Sequence, residues 1–467
     1  MLIISSLFIA GIVFAWACNC LAKQEQERID KQSENRMLWE IQYKHFNYFV
    51  NNQDPDTGLI LDRSTKTSPA SIAAVGFALT AYPLASQRGF TSRDKAAEYT
   101  HKVLSTLTTR PMGPEATGTI GYRGLFYHML DPKTGLRATS PTYWNSELSS
   151  IDTALLITGA LFARNFFTWH NEREAQIREM AQRLFDNVEW DWMSNDKGMI
   201  YHQWTPENGM TTTGYNGYSE ALLMYILALG STTHKMPDNT WDNFMGGSSL
   251  TTHYGQTYVI CPDSPLFVYQ YPHCWIDFRD IQDAVMRRTG LDYFENSRRA
   301  TLAQYKYAFG NPNGYRGYSA ENWGLTACDG PGDVDKTIDG VERRFWGYMA
   351  RGCPAGPDDG TIAPTAALSS MPFTPELSMP LLKHWYTERK ELLGPNGFAD
   401  SFNPTFDPTT RSGWIDPETI GIDQGPILLM IENYRNEFAW KIMRNDPNLR
   451  LGLQRAGFSG GWLNTAP

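Results

Sequence analysis

Helical segments of two kinds alternate along this chain of 467 residues, and this alternation constrains the fold more than any other feature. Segments 70–86, 149–169 and 218–229 are apolar and rich in small residues, whereas 91–107 and 172–188 are charged and amphipathic. An apolar helix needs protein on every side, and an amphipathic helix needs it on one face only. The pattern therefore predicts two concentric rings, with buried helices inside and half-exposed helices outside.

Seven further segments bring the number of predicted helices to about twelve: 36–51, 241–244, 278–289, 292–308, 362–370, 374–393 and 424–440. Ser92 and Asp94 form a cap signal before the helix at 91–107. No low-complexity linker interrupts the series. We therefore expect an all-α protein with one domain from residue 35 to residue 460.

The connections between these helices are unusually long and rich in Gly, Pro, Asn and aromatic residues. Long irregular loops within a compact domain are usually functional. We expect them to stack on one face and form a cleft, with short β-hairpins near 199–203 and 256–259. The four long connections are 110–148, 190–216, 245–277 and 311–360.

Aromatic residues are abundant, with 15 Trp, 23 Tyr and 23 Phe. Flat rings with one polar edge suit ligands that have an apolar face and a polar rim, as sugars do. The net charge of −9 comes without a basic stripe, which argues against a nucleic-acid partner. The composition therefore favours a carbohydrate ligand.

The N-terminus is typical of an export segment. Residues 1–17 are almost wholly apolar and the first charge is Lys23, so 1–23 is predicted to be an export or lipoprotein signal. The segment 24–34 is a polar tether. Cys18 is either the lipidated residue of a lipoprotein or part of a simple cleaved signal. We expect an exported bacterial protein, periplasmic or attached to the outer membrane, and otherwise a monomer.

Metal and phosphate chemistry find no support in the motifs. GxSxG, HExxH and EF-hand patterns are absent, and nine His residues are few for a multi-histidine metal site. The four cysteines beyond the N-terminus are widely spaced, which makes a zinc site improbable and leaves buried thiols and one or two disulfides both open. No metal and no cofactor is predicted. Those cysteines are Cys261, Cys274, Cys328 and Cys353.

Carboxylates at the starts of apolar helices are the candidate chemical groups, because glycosidic bond cleavage needs two carboxyl groups. Glu220 opens an apolar helix and is preceded by Asn216 and Tyr218, which are candidate substrate-binding residues. An ordinary first-turn glutamate, favoured by the helix dipole, is the alternative interpretation.

Two other apolar helices begin in the same way. Glu147 and Asp152 begin the helix at 149–169, and a buried acid such as Asp152 is rare unless it is paired. Asp423 precedes another apolar run, where a capping aspartate is the alternative interpretation.

A fourth candidate region crowds hydrogen-bonding and stacking groups into one loop-to-helix junction, which is typical of a sugar subsite but also of a local salt-bridge cluster. Its residues are His273, Trp275, Asp277, Arg279 and Asp280. Weaker candidates for substrate binding are Asp62, Arg63 and Trp323.

Five motifs, in chain order, resemble the glucoamylase-like domain family, and within it the bacterial β-1,2-glucanases of glycoside hydrolase family 144. They are ELSSIDTALLITGAL, GYNGYSEALLMYILALGS, YQYPHCWIDFRDIQD, NWGLTACDGPG and GIDQGPILLMIENYRN. The resemblance spans about residues 36–460. It implies an (α/α)6 toroid and hydrolysis of β-1,2-linked glucan without a metal.

The resemblance also implies roles for the acids. Glu220 would be the general acid, Asp423 the base-side carboxylate, and Glu147 and Asp152 essential acids of the cleft. The cluster from His273 to Asp280 would line sugar subsites. An α-glucan hydrolase or transglycosylase on the same fold, and a non-catalytic glycan-binding lipoprotein, are the competing functions. Endo or exo action stays open.

Overall fold

The computed structural model describes residues 2–465, with side chains at Lys23 and from Glu25 onward. Fourteen α-helices lie in this part of the chain. They are α1 (Leu2–Asn51), α2 (Ile72–Arg88), α3 (Arg93–Thr109), α4 (Ser150–Phe166), α5 (Glu172–Asp186), α6 (Leu222–Gly230), α7 (Thr240–Met245), α8 (Ala284–Thr289), α9 (Tyr293–Gly310), α10 (Pro364–Leu368), α11 (Pro375–Glu388), α12 (Gly421–Asn436), α13 (Phe438–Met443) and α14 (Pro447–Arg455).

The helices form two concentric layers, as the alternation predicts. The apolar helices α2, α4, α6, α10 and α12 are buried and make the inner ring, which closes because α2 packs against both α4 and α12. The amphipathic helices α1, α3, α5, α9 and α11 pack outside them. The prediction of an α/α toroid is therefore confirmed.

The sixth inner position differs from the prediction. Instead of a helix over 278–289, two 3-10 turns (Leu266–Tyr269 and Tyr271–Cys274) pack against the inner helices, and α8 begins only at Ala284. Pro272 lies in the first turn of the second of these segments.

Glycines allow the inner helices to approach closely. A Cβ atom on Gly159 of α4 would lie 2.0 Å from the Gly76 carbonyl oxygen of α2. A Cβ atom on Gly425 of α12 would lie 2.3 Å from the Phe77 ring. Neither contact leaves room for a larger side chain. The small residues of the apolar segments therefore set the spacing of the inner ring.

Several predicted helix boundaries shift in the structure. Ser92 caps α3 as expected, by accepting the N–H of Lys95. Asp423, in contrast, is not a cap, because α12 already begins at Gly421 and Asp423 lies in its first turn. The helix α14 was not among the helices predicted from the sequence.

The N-terminal segments are described only in part. The predicted tether, 24–34, is helical because α1 runs through it, and its described side chains are mostly exposed. The predicted export segment, 1–23, lies outside the described side chains except for Lys23. Among the described residues, no helix is long and apolar enough to span a membrane.

Short antiparallel strand pairs lie in the connections between the helices. The predicted hairpin at 256–259 is confirmed, whereas 199–203 contributes only Gln203 to a strand. The pairs are β1 (Ala70–Ser71) with β4 (Met129–Leu130), β2 (Gly121–Tyr122) with β3 (Leu125–Phe126), β5 (Leu148–Ser149) with β6 (Gln203–Thr205), β6 with β7 (Gly209–Met210), β8 (Ser249–His253) with β9 (Gln256–Ile260), β10 (Ala327–Cys328) with β13 (Met349–Ala350), β11 (Val334–Ile338) with β12 (Val341–Phe345), β14 (Leu393–Gly394) with β15 (Gly397–Phe398), and β16 (Phe402–Asn403) with β17 (Trp414–Ile415).

Cys261, Cys274, Cys328 and Cys353 are buried free thiols. Of the two possibilities that the sequence leaves open, the structure therefore selects thiols over disulfides for these four residues.

Candidate active site

The predicted acids meet where the inner helices begin. Asp152 lies in the first turn of α4, Glu220 in the turn before α6, and Asp423 in the first turn of α12. Asp62 lies in the loop before α2, where its carbonyl accepts the N–H of Gly421 at 2.8 Å. The inner helices all start at the same end of the toroid, so residues far apart in sequence share one cleft.

Glu220 has the environment of a proton donor. Its side chain is half-buried, and burial together with the negative charge of Asp152 raises its pKa to about 7. No other side chain donates a hydrogen bond to it among the described residues. Its carboxyl group therefore retains a proton at a pH at which an exposed glutamate has lost it.

A histidine joins the two acids at the start of α4. Nδ1 of His128 lies 2.8 Å from Oε1 of Glu147, and Nε2 lies 3.7 Å from Oδ2 of Asp152. Burial opposes ionisation of the imidazole, but the negative charges of Asp152 and Glu147 outweigh burial and raise the His128 pKa to about 9. In turn, His128 holds the Glu147 pKa below its usual value against the effect of burial.

Ser149 orients Asp152 within this group. Its hydroxyl donates to Oδ2 of Asp152 at 2.5 Å and accepts the Asp152 N–H at 3.2 Å. The backbone N–H of His128 donates to the Glu147 carbonyl at 2.8 Å. We refer to His128, Glu147 and Asp152 as the histidine cluster.

A second group of acids surrounds Asp423, which is only 3% exposed. Burial raises its pKa, and a hydrogen bond with the Asp400 carboxyl group opposes that rise. Burial and the charge of Asp423 raise the pKa of Asp400 further still. Asp400 is therefore the member of the pair that holds the proton, and Asp423 carries the negative charge.

Arg63 provides positive charge beside this pair. Its guanidinium binds both oxygens of Asp329 and lies 3.4 Å from Oε2 of Glu418. The Asp329 N–H donates to Oδ2 of Asp400 at 2.7 Å. Asp62 faces Arg63 and Asp423 on one side and His128 and Asp152 on the other. The two acid groups therefore belong to one cleft.

Asp329, Asp400 and Asp416 are the set of potential metal ligands in the described part of the chain, since one oxygen of each lies within 4.8 Å of the others. Arg63 already pairs with Asp329, and Asp400 shares a proton with Asp423. We therefore assign no metal to this set.

Tyr348 is an aromatic residue of the cleft that the motifs did not indicate. Its side chain is 59% exposed, yet burial of its hydroxyl and the charges of Asp423 and Asp400 raise its pKa. An accessible ring with a desolvated hydroxyl lies within a concave surface rather than on a convex one. Tyr348 therefore presents a ring beside the acids.

The cluster from His273 to Asp280 does not line the cleft, and this prediction is wrong. Asp277 binds Arg279 and Arg444, and Arg279 also pairs with Glu437. Glu437 follows the C-terminal end of α12, about 21 Å along the helix axis from Asp423. The cluster is thus a salt-bridge network at the opposite end of the toroid, and the exposed Asp280 lies there too.

The other side chains predicted to contact sugar, in this cluster and elsewhere in the chain, are core residues. Trp275 is fully buried and donates its Nε1–H to Thr80, and His273 is buried with Nε2 3.0 Å from the Ser297 hydroxyl. Trp323 is fully buried, and Tyr218 is 1% exposed and stacks on Tyr293. These predictions are also wrong, because such side chains have no surface for a ligand.

The predicted substrate-binding residues Asn216, Asp62 and Arg63 do lie at the cleft. Asn216 is exposed in the loop that carries Glu220. Sequence reasoning missed His128, Asp400 and Asp416. His128 gives no helical signal because it lies in an irregular connection, and Asp400 and Asp416 lie in a loop without a recognisable motif.

Comparisons with known proteins agree with this architecture. The family model "Glycoamylase: Putative glucoamylase" matches residues 213–447. A crystal structure of a "putative glucoamylase" from Bacteroides uniformis is 30% identical, with a TM-score of 0.79, over 92% of this chain and 99% of that one. An endo-β-1,2-glucanase from Chitinophaga pinensis, solved with sophorotriose and glucose, is 27% identical, with a TM-score of 0.77, over 92% and 99%.

A curated relative is the exo β-1,2-glucooligosaccharide sophorohydrolase (non-reducing end) of Parabacteroides distasonis, 27% identical over 451 residues. The match covers 91% of this chain but only 58% of the relative's length. The family resemblance of the five motifs is confirmed by the family model and by the crystal structures. The chain therefore belongs to the glycoamylase family.

Proposed function

We propose that this protein is a glycoside hydrolase that cleaves β-1,2-linked glucan by acid/base catalysis with two carboxyl groups. The observation that carries the proposal is a pair of cleft acids in different settings: burial raises the Glu220 pKa to about 7 without a hydrogen bond from another side chain, whereas Asp423 shares a proton with Asp400. A glycosidase needs one acid of each kind.

The linkage comes from the relatives. The Parabacteroides distasonis protein is named for release of sophorose from β-1,2-glucooligosaccharides, and the Chitinophaga pinensis protein for endo cleavage of β-1,2-glucan. The Chitinophaga pinensis protein shares the fold over 92% of this chain, and the Parabacteroides distasonis protein matches 91% of this chain in sequence. They support β-1,2-glucan as the substrate and leave endo and exo action as two outcomes of one test.

In the proposed reaction, Glu220 donates its proton to the glycosidic oxygen while the bond from that oxygen to the anomeric carbon breaks. A water molecule attacks the anomeric carbon from the opposite face, and Asp423 accepts its proton. The product has inverted configuration. This requires the two carboxyl groups to lie roughly 6.5–9.5 Å apart, with the water between them.

The remaining cleft residues would hold the sugar. Tyr348 offers a ring face to a pyranose, and the polar side chains of Asn216, Asp62 and Arg63 can bind hydroxyl groups. Glu147 and Asp152 would accept hydrogen bonds from sugar hydroxyls, and Asp152 disfavours ionisation of the acid Glu220.

The test is incubation of the purified protein with linear β-1,2-glucan and, separately, with starch, followed by separation of the products by size over time. Sophorose alone from β-1,2-glucan would establish exo action, and a ladder of oligosaccharides endo action. Starch cleavage would overturn the linkage but keep the carboxylates. Retention on glucan without products would favour a glycan-binding lipoprotein.

We also propose that the protein is exported and attached to a membrane through its N-terminal segment. The support is the apolar run 1–17 followed by Cys18. Cell fractionation of the wild type and a Cys18→Ala variant tests this. A shift from the membrane to the soluble periplasmic fraction in the variant would support lipidation, and an unchanged distribution would contradict it.

A further inference from the structure

We propose that His128 is a positioning residue for the acid side of the reaction: its imidazole lies between Glu147 and Asp152 and holds both side chains in place at the start of α4. This inference rests on the proposed function. Neither the sequence motifs nor the relatives' names assign a role to this histidine.

Hydrogen bonds of the His128 backbone and contacts of its imidazole hold this residue in place. The His128 backbone N–H donates to the Glu147 carbonyl at 2.8 Å, and the His128 carbonyl accepts the N–H of Ile72, the first residue of α2, at 3.2 Å. The imidazole then reaches Glu147 with one nitrogen and Asp152 with the other, at 2.8 Å and 3.7 Å. His128 therefore ties the start of α2 to the start of α4.

The charges that face the ring are all negative. Glu147 precedes α4, Asp152 lies in its first turn, and Asp62 faces the ring from the loop before α2. The charge of Arg137 also lowers the pKa of Glu147, but its guanidinium binds Glu207. Arg63 pairs with Asp329 and Glu418. The His128 imidazolium is therefore the cation placed to bind both Glu147 and Asp152.

Loss of the ring would change the acids in a definite direction. A nearby cation lowers the pKa of a carboxylate, so removal of the His128 ring raises the pKa of Glu147. Glu147 would then take up a proton at a higher pH than in the wild type. Glu220 responds to burial and to Asp152. Protonation of Glu147 would add to that of Asp423 at low pH. We therefore expect His128→Gln to steepen the acidic limb of the pH–rate profile and move it upward by up to about one pH unit, while the basic limb, set by Glu220, stays in place.

The experiment measures kcat/KM on β-1,2-glucan from pH 4 to pH 9 for the wild type, His128→Gln and His128→Asn. His101→Gln is the matched control, because His101 lies on the outer helix α3 and binds Gln176, far from the acids. A merely structural histidine would lower the rate at all pH values alike. An acidic limb that stays in place in an active His128 variant would overturn the proposal.

A second readout does not depend on activity. Nitrogen NMR of the folded wild-type protein, with His128 assigned from the signal missing in His128→Gln or His128→Asn, should show an imidazole that stays protonated to pH 8. Glu147→Gln should lower its pKa. A neutral His128 ring at pH 7 would overturn the proposal whatever the rates of the variants. If the wild type hydrolyses no glucan, the proposed function fails, and the NMR titration still decides the charge of the ring.

Discussion

At the scale of single residues, the chemistry depends on the surroundings of each carboxyl group rather than on residue type. Glu220 is half-buried, faces Asp152 and receives no hydrogen bond from another described side chain, so its proton is retained. Asp152 itself is held by Ser149 and faces the His128 ring. The setting of Glu220, rather than its residue type, thus suits it to donate a proton.

Replacement of Glu220 by Gln should abolish proton donation while keeping the shape of the side chain. We expect turnover to fall by a factor of roughly 10²–10⁴ or more. The measurement is initial rates on β-1,2-glucan, with glucan binding by calorimetry as the control. A variant that binds glucan and retains near-normal turnover would remove Glu220 as the acid.

The same variant should gain stability at alkaline pH. Burial raises the Glu220 pKa from 4.5 to about 7, so folding favours the protonated form. This stabilisation is complete below pH 4.5 and is lost as the pH rises through 7. Glu220→Gln should therefore exceed the wild type by roughly 1–3 kcal/mol at pH 8. Denaturant unfolding at pH 8 and pH 4.5 measures this, and an equal difference at both values would contradict it.

At the scale of helices, glycines bring the inner ring together and so position the acids at its N-terminal end. The α2–α4 contact joins the helix that follows Asp62 to the helix that carries Asp152. Because the Gly76 and Gly159 backbones touch, neither helix can move away without shifting one acid relative to another.

Gly159→Ala should be strongly destabilising. Its Cβ atom would lie 2.0 Å from a backbone carbonyl, which cannot move as a flexible side chain can. We expect a loss of about 3 kcal/mol or more in the free energy of unfolding. Gly310→Ala, at the end of α9, is the control, because its Cβ meets nothing within 4 Å and should be neutral or slightly stabilising. Equal effects at the two positions would contradict this account of the ring.

At the scale of the whole molecule, the toroid places the loops and acids of distant segments at one end. The ion pairs at the other end contribute to the structure and not to the cleft. Asp62, Asp329, Asp400 and Asp423 come from four separate connections or helices. Their main described counter-charge is Arg63, and proton uptake by Asp400 removes a further negative charge.

This excess of acids predicts an acidic optimum for activity. Activity should decline as the pH rises through about 7, because Glu220 loses its proton. It should also decline at low pH, where Asp423 becomes protonated at a pH above the usual aspartate value because burial raises its pKa. A pH–rate profile on β-1,2-glucan measures both limbs. A rate that keeps rising to pH 9 would contradict the assignment of Glu220 as the acid.

The sequence by itself determined the two-layer helical architecture, the family, and the carboxylates at the starts of apolar helices. These are local properties: hydrophobic periodicity fixes which helices are buried, and a short motif fixes which acid begins a helix. Glu147, Asp152, Glu220 and Asp423 could therefore be found without coordinates, and the structure brings them to one end of the toroid. Their catalytic roles stay predictions.

Only the tertiary structure decided which other polar residues face that end. Asp277 and Arg279 carry the same sequence signal as a sugar subsite, yet they lie beyond the C-terminal end of α12. His128 and Asp400 carry no signal, yet the closing of the ring places them against Asp152 and Asp423. Contacts between segments hundreds of residues apart depend on ring closure, and no local pattern encodes which end of a helix a loop will cover.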